Sequence, residues 1–257
     1  MSLKGKVVMI TGASSGIGEA CAKSFAALGS KLLLGARRLE RLKALAQEIK
    51  KKYKAEVYPI KIDVTNYKAL EKAISGLPKG WKEVEVLINN AGLALGIDKM
   101  FDADIKDWDA MIDTNVKGLL YMTRLILPGM VERGRGHVIN VGSIAGFELY
   151  PGGNVYCASK AAVQILSKSL RMDVLGKSIR VTNIDPGMTK TEFPLVRWKG
   201  DEEAASRLYE GIDYLSPEEV AEAILFCATR PPHVNIGELV ITPTEQISFM
   251  LTHRKGK

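Results

Sequence analysis

Seven short apolar runs alternate with longer helical patterns along this chain, and that alternation limits the folds open to it. Strands are expected at Val7 to Thr11, Lys31 to Leu34, Val57 to Ile60, Val86 to Asn89, His137 to Val141, Arg180 to Ile184 and Leu239 to Thr242. Most carry apolar residues at consecutive positions, as strands of a parallel sheet covered on both faces do. Helices are expected over Gly18 to Leu28, Leu39 to Lys52, Trp108 to Met130, Tyr156 to Leu175 and Pro217 to Ala228. In the last, Ser216 is placed to cap, Pro217 opens the first turn, and Glu218 and Glu219 follow within it. Such regular alternation predicts a doubly wound α/β sheet with helices on both faces. No proline-rich or serine-rich linker and no fixed-period repeat divides the chain, so one domain is expected over residues 1–257. The stretch from Met188 to Leu215 is the exception. It lacks a strand, is rich in charge, Gly and Pro, and reads as an insertion.

Composition removes several function classes. Apolar residues at 46% and charged residues at 25% are ordinary for a globular protein. No run of about 18 apolar residues exists to span a bilayer, so no membrane partner is expected. Met1 to Lys6 leads straight into Val7-Val8-Met9-Ile10 without a secretory apolar region, and the cytoplasm is the expected location. The net charge of +7 invites a nucleic-acid reading. Yet the densest basic run, Lys50-Lys51-Lys52-Tyr53-Lys54, closes a helical segment, where cations complement the helix dipole. No nucleic-acid partner is expected. Cys21, Cys157 and Cys227 are odd in number, far apart and without a nearby histidine pair, so they read as buried free thiols. No metal site is expected.

The first strand runs into Thr11-Gly12-Ala13-Ser14-Ser15-Gly16-Ile17-Gly18, which opens a helix. Glycines there let backbone approach a pyrophosphate, and the free N–H groups of the helix start supply partial positive charge. No lysine follows in the pattern of a triphosphate loop. The second strand would end in an acid if it met a ribose 2′-hydroxyl. Instead it ends Leu34-Gly35-Ala36-Arg37-Arg38. Two guanidinium groups suit a 2′-phosphate through parallel charge-assisted hydrogen bonds, so the expected cofactor is NADP (NADPH). The alternative, that both arginines only cap a solvated helix start, places them against the dipole.

Tyr156 and Lys160 are four residues apart on one helix and therefore share a face. A free phenol titrates near 10, and a neighbouring cation or an oxidised nicotinamide favours its ionised form. So tuned, it can exchange a proton while hydride moves. Ser143 follows the strand His137 to Val141 at the end where α/β sheets bind ligands, placed to hydrogen-bond a substrate oxygen. Asn115 interrupts an apolar helix and needs partners if buried, such as a water or backbone group linked to Lys160.

Together TGASSGIG at 11–18, NNAG at 89–92, Asn115, Ser143, Tyr156 and Lys160 resemble the short-chain dehydrogenase/reductase family over nearly the whole chain. The resemblance implies a Rossmann-type fold with a mostly seven-stranded parallel sheet. It implies a catalytic tetrad in which Tyr156 is the acid/base and Ser143 polarises the substrate carbonyl. Lys160 lowers the tyrosine pKa and binds the nicotinamide ribose, while Asn115 holds a water of the proton relay. Gly12, Ser14, Ser15, Gly16, Ile17 and Gly18 would cradle the pyrophosphate, and Arg37 and Arg38 the 2′-phosphate. Asp63 and Val64 would border the adenine, Asn89, Asn90, Ala91 and Gly92 the cleft, and Pro186, Gly187, Thr189 and Thr191 the nicotinamide side. A homotetramer built on the helices Trp108 to Met130 and Tyr156 to Leu175 is also implied. Longer runs, NNAGLALG at 89–96, PGMVERGRGHVIN at 128–140, GGNVY at 152–156 and PPHVNIGELVITPTEQ at 231–246, resemble the NADP-dependent 3-hydroxy acid dehydrogenases. That subgroup implies serine, allo-threonine, 3-hydroxyisobutyrate or malonic semialdehyde as substrate.

A 3-hydroxy acid needs a cation for its carboxylate. The inserted segment, read as a lid at 188–215, offers Arg197 beside Trp198, with Lys199 following; the alternative is a surface charge on a loop. Asn154 is a further candidate for the substrate pocket. Two other readings stand beside this one: a reductase of a polyol, larger ketone or 3-ketoacyl group, and an NADPH sensor without turnover, which would not require Tyr156 and Lys160.

Overall fold

A computed structural model of the protein describes residues 2–256; Met1 and Lys257, the ends of the expected domain, lie outside the described residues. Seven strands, β1 (Val7–Thr11), β2 (Lys31–Ala36), β3 (Val57–Lys61), β4 (Val84–Asn89), β5 (Gly136–Val141), β6 (Ile179–Pro186) and β7 (Glu238–Ile241), form one sheet in the order β3-β2-β1-β4-β5-β6-β7. Every neighbouring pair is parallel. The order reverses between β1 and β4, and ligands of such sheets bind at the carboxyl ends of the strands beside that reversal. All seven expected strands are present, with no end moved by more than two residues.

The helices are α1 (Gly16–Ala27), α2 (Leu39–Tyr53), α3 (Tyr67–Ser75), α4 (Ile105–Ile112), α5 (Gly118–Arg133), α6 (Asn154–Asp173), α7 (Phe193–Arg197), α8 (Glu202–Arg207) and α9 (Pro217–Thr229). Alternate residues of β1 explain the two layers. Val8 and Ile10 join a core with α1, α2 and α9, while Val7 and Met9 join one with α3 and α5. Both strand faces are thus buried, which is why the strands read as continuous apolar runs. The start of α9 follows its sequence signals: Ser216 and Glu219 form a reciprocal capping box, with proline in the first turn. Lys50, Lys51 and Lys52 occupy the last turn of α2.

Three features depart from expectation. The helix α3 is additional. It is a nine-residue helix that packs through Leu70, with Ala73 and Ile74 partly buried against the same core. The expected helix Trp108 to Met130 is divided by a wider π turn at Asp113–Lys117, with Asn115 buried inside it. Such insertions are common where a helix serves a functional site. The segment Met188 to Leu215, expected to be irregular, contains α7 and α8, each too short to show periodicity.

Candidate active site

The loop after β1 turns through Gly12 (φ 66°) and Gly16 (φ 55°), a region open to glycine at little cost. A Cβ on Gly12 would lie 2.9 Å from the Cα of Ala91, so the loop packs directly on the chain leaving β4. Thr11 fixes that contact. Its Oγ1 accepts from the backbone N–H groups of Asn90 and Ala91, each at 3.0 Å, and donates to the Ile88 carbonyl. Gly12, Ser14, Ser15, Gly16, Ile17, Asn90, Ala91 and Gly92 line the resulting cleft. Two expected cleft residues do not. Gly18 is a packing glycine, since a Cβ there would come within 2.6 Å of Asn90 Nδ2 and the Gly12 carbonyl. Asn89 points into the core, where its Nδ2 donates to Thr123 Oγ1 and Asn140 Oδ1.

At the far end, Arg37, Arg38, Asp63 and Val64 all line the cleft as expected. Arg38 donates from Nε to Ser14 Oγ at 3.1 Å and from Nη2 to Ser15 Oγ at 2.7 Å. Its third nitrogen, Nη1, donates to Glu192 Oε2 at 2.8 Å. Arg41, one turn into α2, donates to the same carboxylate. Sequence reasoning missed Arg41; its signal was the i, i+3 spacing from Arg38, which places both guanidinium groups on one side of the helix start.

At the other end of the cleft, β5 delivers Ser143 and α6 delivers Tyr156 and Lys160, all three buried. The Lys160 Nζ lies 5.9 Å from the Tyr156 ring centroid and donates to the Val141 carbonyl at 2.9 Å. Burial pushes the Tyr156 phenol up to about 12, opposed by its hydrogen bond with Ser143 and by the charge of Arg197. Burial also lowers the Lys160 ammonium to about 8, against the pull of Asp185. Ser143 and Arg197 are the groups that oppose the rise of the phenol, while Lys160 stands one helical turn from it on the same face of α6.

Asn115 has found the backbone partner that its burial demands. Its Oδ1 accepts from Leu93 N at 2.9 Å, and its Nδ2 donates to Leu93 O at 2.8 Å and Ser159 Oγ at 3.0 Å. The side chain thus clamps the strand exit beside Lys160. Asp185, at the end of β6, was missed. Fully buried, it accepts from the Ser143 backbone N–H at 2.9 Å through Oδ1, and from Asn183 and Gln164 through Oδ2. Its sequence signal was Gly142, where a side chain would overlap that carboxylate.

Pro186, Gly187, Thr189 and Thr191 line the same cleft, joined by Met188, Phe193 and Phe249. Arg197 is no surface charge. It is 5% exposed, donates from Nε to the Gly96 carbonyl at 3.1 Å, and holds its guanidinium 5.6 Å from the Tyr156 ring centroid. Its Nη2 is buried without a hydrogen-bond partner, and a buried donor of this kind costs roughly 1–3 kcal/mol until satisfied. Asn154 does not line this cleft. Its amide donates to the Asp98 carbonyl and its oxygen accepts from Val155 N, so it ties a neighbouring loop to α6. Among the described residues no cluster of His, Cys, Asp and Glu is arranged to hold a metal ion, and no helix is long and apolar enough to cross a membrane. All three cysteines are buried and free.

A glycine cradle at a helix start, an arginine fork at the adenosine end and a phenol beside an ammonium define a dinucleotide-dependent oxidoreductase. A family model described as short chain dehydrogenase matches residues 6–199, and the chain belongs to that family. An NADP-dependent 3-hydroxy acid dehydrogenase of Salmonella typhi is 47% identical over 250 residues, covering 96% of this chain and 99% of its own. Sulfoacetaldehyde reductase 2 of Chromohalobacter salexigens is 46% identical over 241 residues, covering 93% and 95%. A closed form of serine dehydrogenase complexed with NADP+ superposes with a TM-score of 0.89 at 46% identity, covering 93% of this chain and 96% of that one.

Proposed function

We propose that the protein is an NADP-dependent dehydrogenase that moves hydride between NADP(H) and the alcohol or carbonyl of a small 3-hydroxy acid. Serine, allo-threonine and 3-hydroxyisobutyrate are the alcohols in question, and malonic semialdehyde the carbonyl. The observation that carries this reading is Arg197, a buried guanidinium with an unused donor beside the Tyr156 ring. It suits a substrate whose carboxylate stands a few bonds from the reacting oxygen. The NADP-dependent relatives support the cofactor, as does the Arg38 fork on Ser14 and Ser15.

Bound in this cleft, the nicotinamide ring supplies or takes up the hydride. Tyr156 Oη takes the alcohol proton in oxidation and returns it in reduction. Ser143 donates to the substrate oxygen, its own position set by Asp185. Asn115 fixes the strand exit at Leu93, next to Gly92, and Lys160, on α6, would hold the nicotinamide ribose. Arg197 binds the carboxylate, and the segment 188–215 that carries it closes over the substrate as a lid. The test is absorbance at the nicotinamide band with serine, 3-hydroxyisobutyrate, a simple sugar alcohol and, in the reverse direction, sulfoacetaldehyde, each with both dinucleotides. Turnover of the 3-hydroxy acids with NADP+ is expected to exceed all other combinations; preference for the sugar alcohol would overturn the substrate reading. A preference for sulfoacetaldehyde would keep the anion site and change the anion, as the sulfoacetaldehyde reductase relative suggests.

The same reading places the enzyme in the cytoplasm as a homotetramer. Ile165, Met172 and Leu175, exposed at 64%, 77% and 85% on and just after α6, supply an apolar face for self-association. Sedimentation equilibrium is expected to return four times the 28.1 kDa chain; a monomer mass would exclude it.

A further inference from the structure

Glu192 sits at the residue before α7 and reaches back to the adenosine end of the cleft. Its Oε2 accepts from Arg38 Nη1 at 2.8 Å and its Oε1 from Arg41 Nη1 at 2.7 Å. The hydrogen bond from Arg38 leads the effects that hold its carboxyl below the usual glutamate range. All three side chains are roughly half exposed, at 44%, 51% and 43% for Arg38, Arg41 and Glu192. Exposed ion pairs of this kind are weak and open to competition from a solvent anion. Arg38 is also the guanidinium expected to meet a 2′-phosphate, which carries about two negative charges against one. The other end of the same short helix is Arg197, whose carbonyl accepts from Gly96 N at 2.9 Å and whose Nε returns a bond to Gly96 O. One five-residue helix therefore joins the adenosine fork to the guanidinium beside Tyr156.

We propose that Glu192 is an internal competitor for the cofactor's 2′-phosphate: its carboxylate clasps Arg38 and Arg41, and a 2′-phosphate on Arg38 displaces it and releases the start of α7, the helix whose other end carries Arg197. Glu192 is then a specificity-determining residue, because a dinucleotide without the 2′-phosphate leaves the clasp shut. Cofactor choice and lid position become one equilibrium, biased by a differential contact at the adenosine end. This inference rests on NADP being the cofactor.

The test needs no turnover. Calorimetry compares 2′,5′-ADP and 5′-AMP on the wild type and on Glu192→Gln, and amide hydrogen exchange follows residues 193–200. The substitution is expected to tighten 2′,5′-ADP about fivefold, which is about 1 kcal/mol at 1.4 kcal/mol per decade, and to leave 5′-AMP unchanged. In the wild type, 2′,5′-ADP and not 5′-AMP is expected to speed exchange in 193–200; in Glu192→Gln that segment is expected to exchange fast from the start. Affinity for 2′,5′-ADP that is unchanged or weaker in the variant would overturn the clasp, as would equal tightening of both ligands. Exchange in 193–200 that ignores 2′,5′-ADP would overturn it too. A wild type that does not prefer 2′,5′-ADP over 5′-AMP would instead remove the NADP reading, and the clasp with it.

Discussion

Replacing Tyr156 by Phe is expected to lower kcat about 10³-fold while leaving the affinity for NADPH within about twofold, since positioned acid–base groups contribute roughly 10²–10⁴ in rate. The substitution removes one hydroxyl and nothing else. The ring keeps its contact with Phe193, centroids 5.6 Å apart, and its 7% exposure, so the fold has no reason to change. The pH dependence follows from the same group. Burial holds the phenol near 12, so the proton donor is in place throughout the neutral range. Reduction, which uses that proton, is expected to stay level from roughly pH 6 to 8, whereas oxidation, which needs the proton gone, is expected to rise with pH. In Tyr156→Phe the residual oxidation is expected to lose that slope. Stopped-flow and steady-state absorbance at the nicotinamide band measure both. A variant retaining a tenth of wild-type turnover, or the same slope, would remove Tyr156 from the proton path.

The expected strands, the glycine loop and the grouping of Ser143, Tyr156 and Lys160 were legible in the sequence for one reason. Each depends on chemistry that is local or periodic: buried runs for parallel strands, glycine for close approach, and i, i+4 spacing for a shared helix face. What escaped depends on contacts between distant segments. Asp185 meets Ser143 across 42 positions, and Glu192 meets Arg38 across 154. Neither can be read from spacing. Asn89 shows the converse: standing beside Asn90 in a run assigned to the cleft, it is the last residue of β4 and faces the core, whereas Asn90 lies past the strand end and bonds the Thr11 carbonyl. Asn115 lies between these cases. Its burial demanded a partner, but the partner was the Leu93 backbone, and the π turn that aims the side chain there left no mark in the apolar periodicity.

Arg197 carries the second large effect. Arg197→Ala is expected to raise KM for serine and 3-hydroxyisobutyrate about 100-fold, the size of a charged hydrogen bond of about 3 kcal/mol. Alcohols without a carboxylate are expected to keep their KM. Arg197→Lys should fall between the two, because an ammonium keeps the charge but loses the planar fork that pairs with both carboxylate oxygens. The lysine variant also separates binding from folding. The guanidinium lies 5.1 Å from the Tyr150 ring and 5.6 Å from that of Trp198, and it bonds Gly96, so truncation to alanine removes packing as well as charge. Thermal unfolding of both variants gives the control: a KM change in the lysine form at unaltered Tm belongs to the substrate. If KM for the acids stays within a factor of two in both variants, the carboxylate is held elsewhere, and the unsatisfied Nη2 serves only to charge the space around the phenol. In that case the tyrosine should respond instead. Arg197 is second only to Ser143 among the groups that draw its proton off, so its removal would shift the oxidation limb to higher pH with KM unmoved.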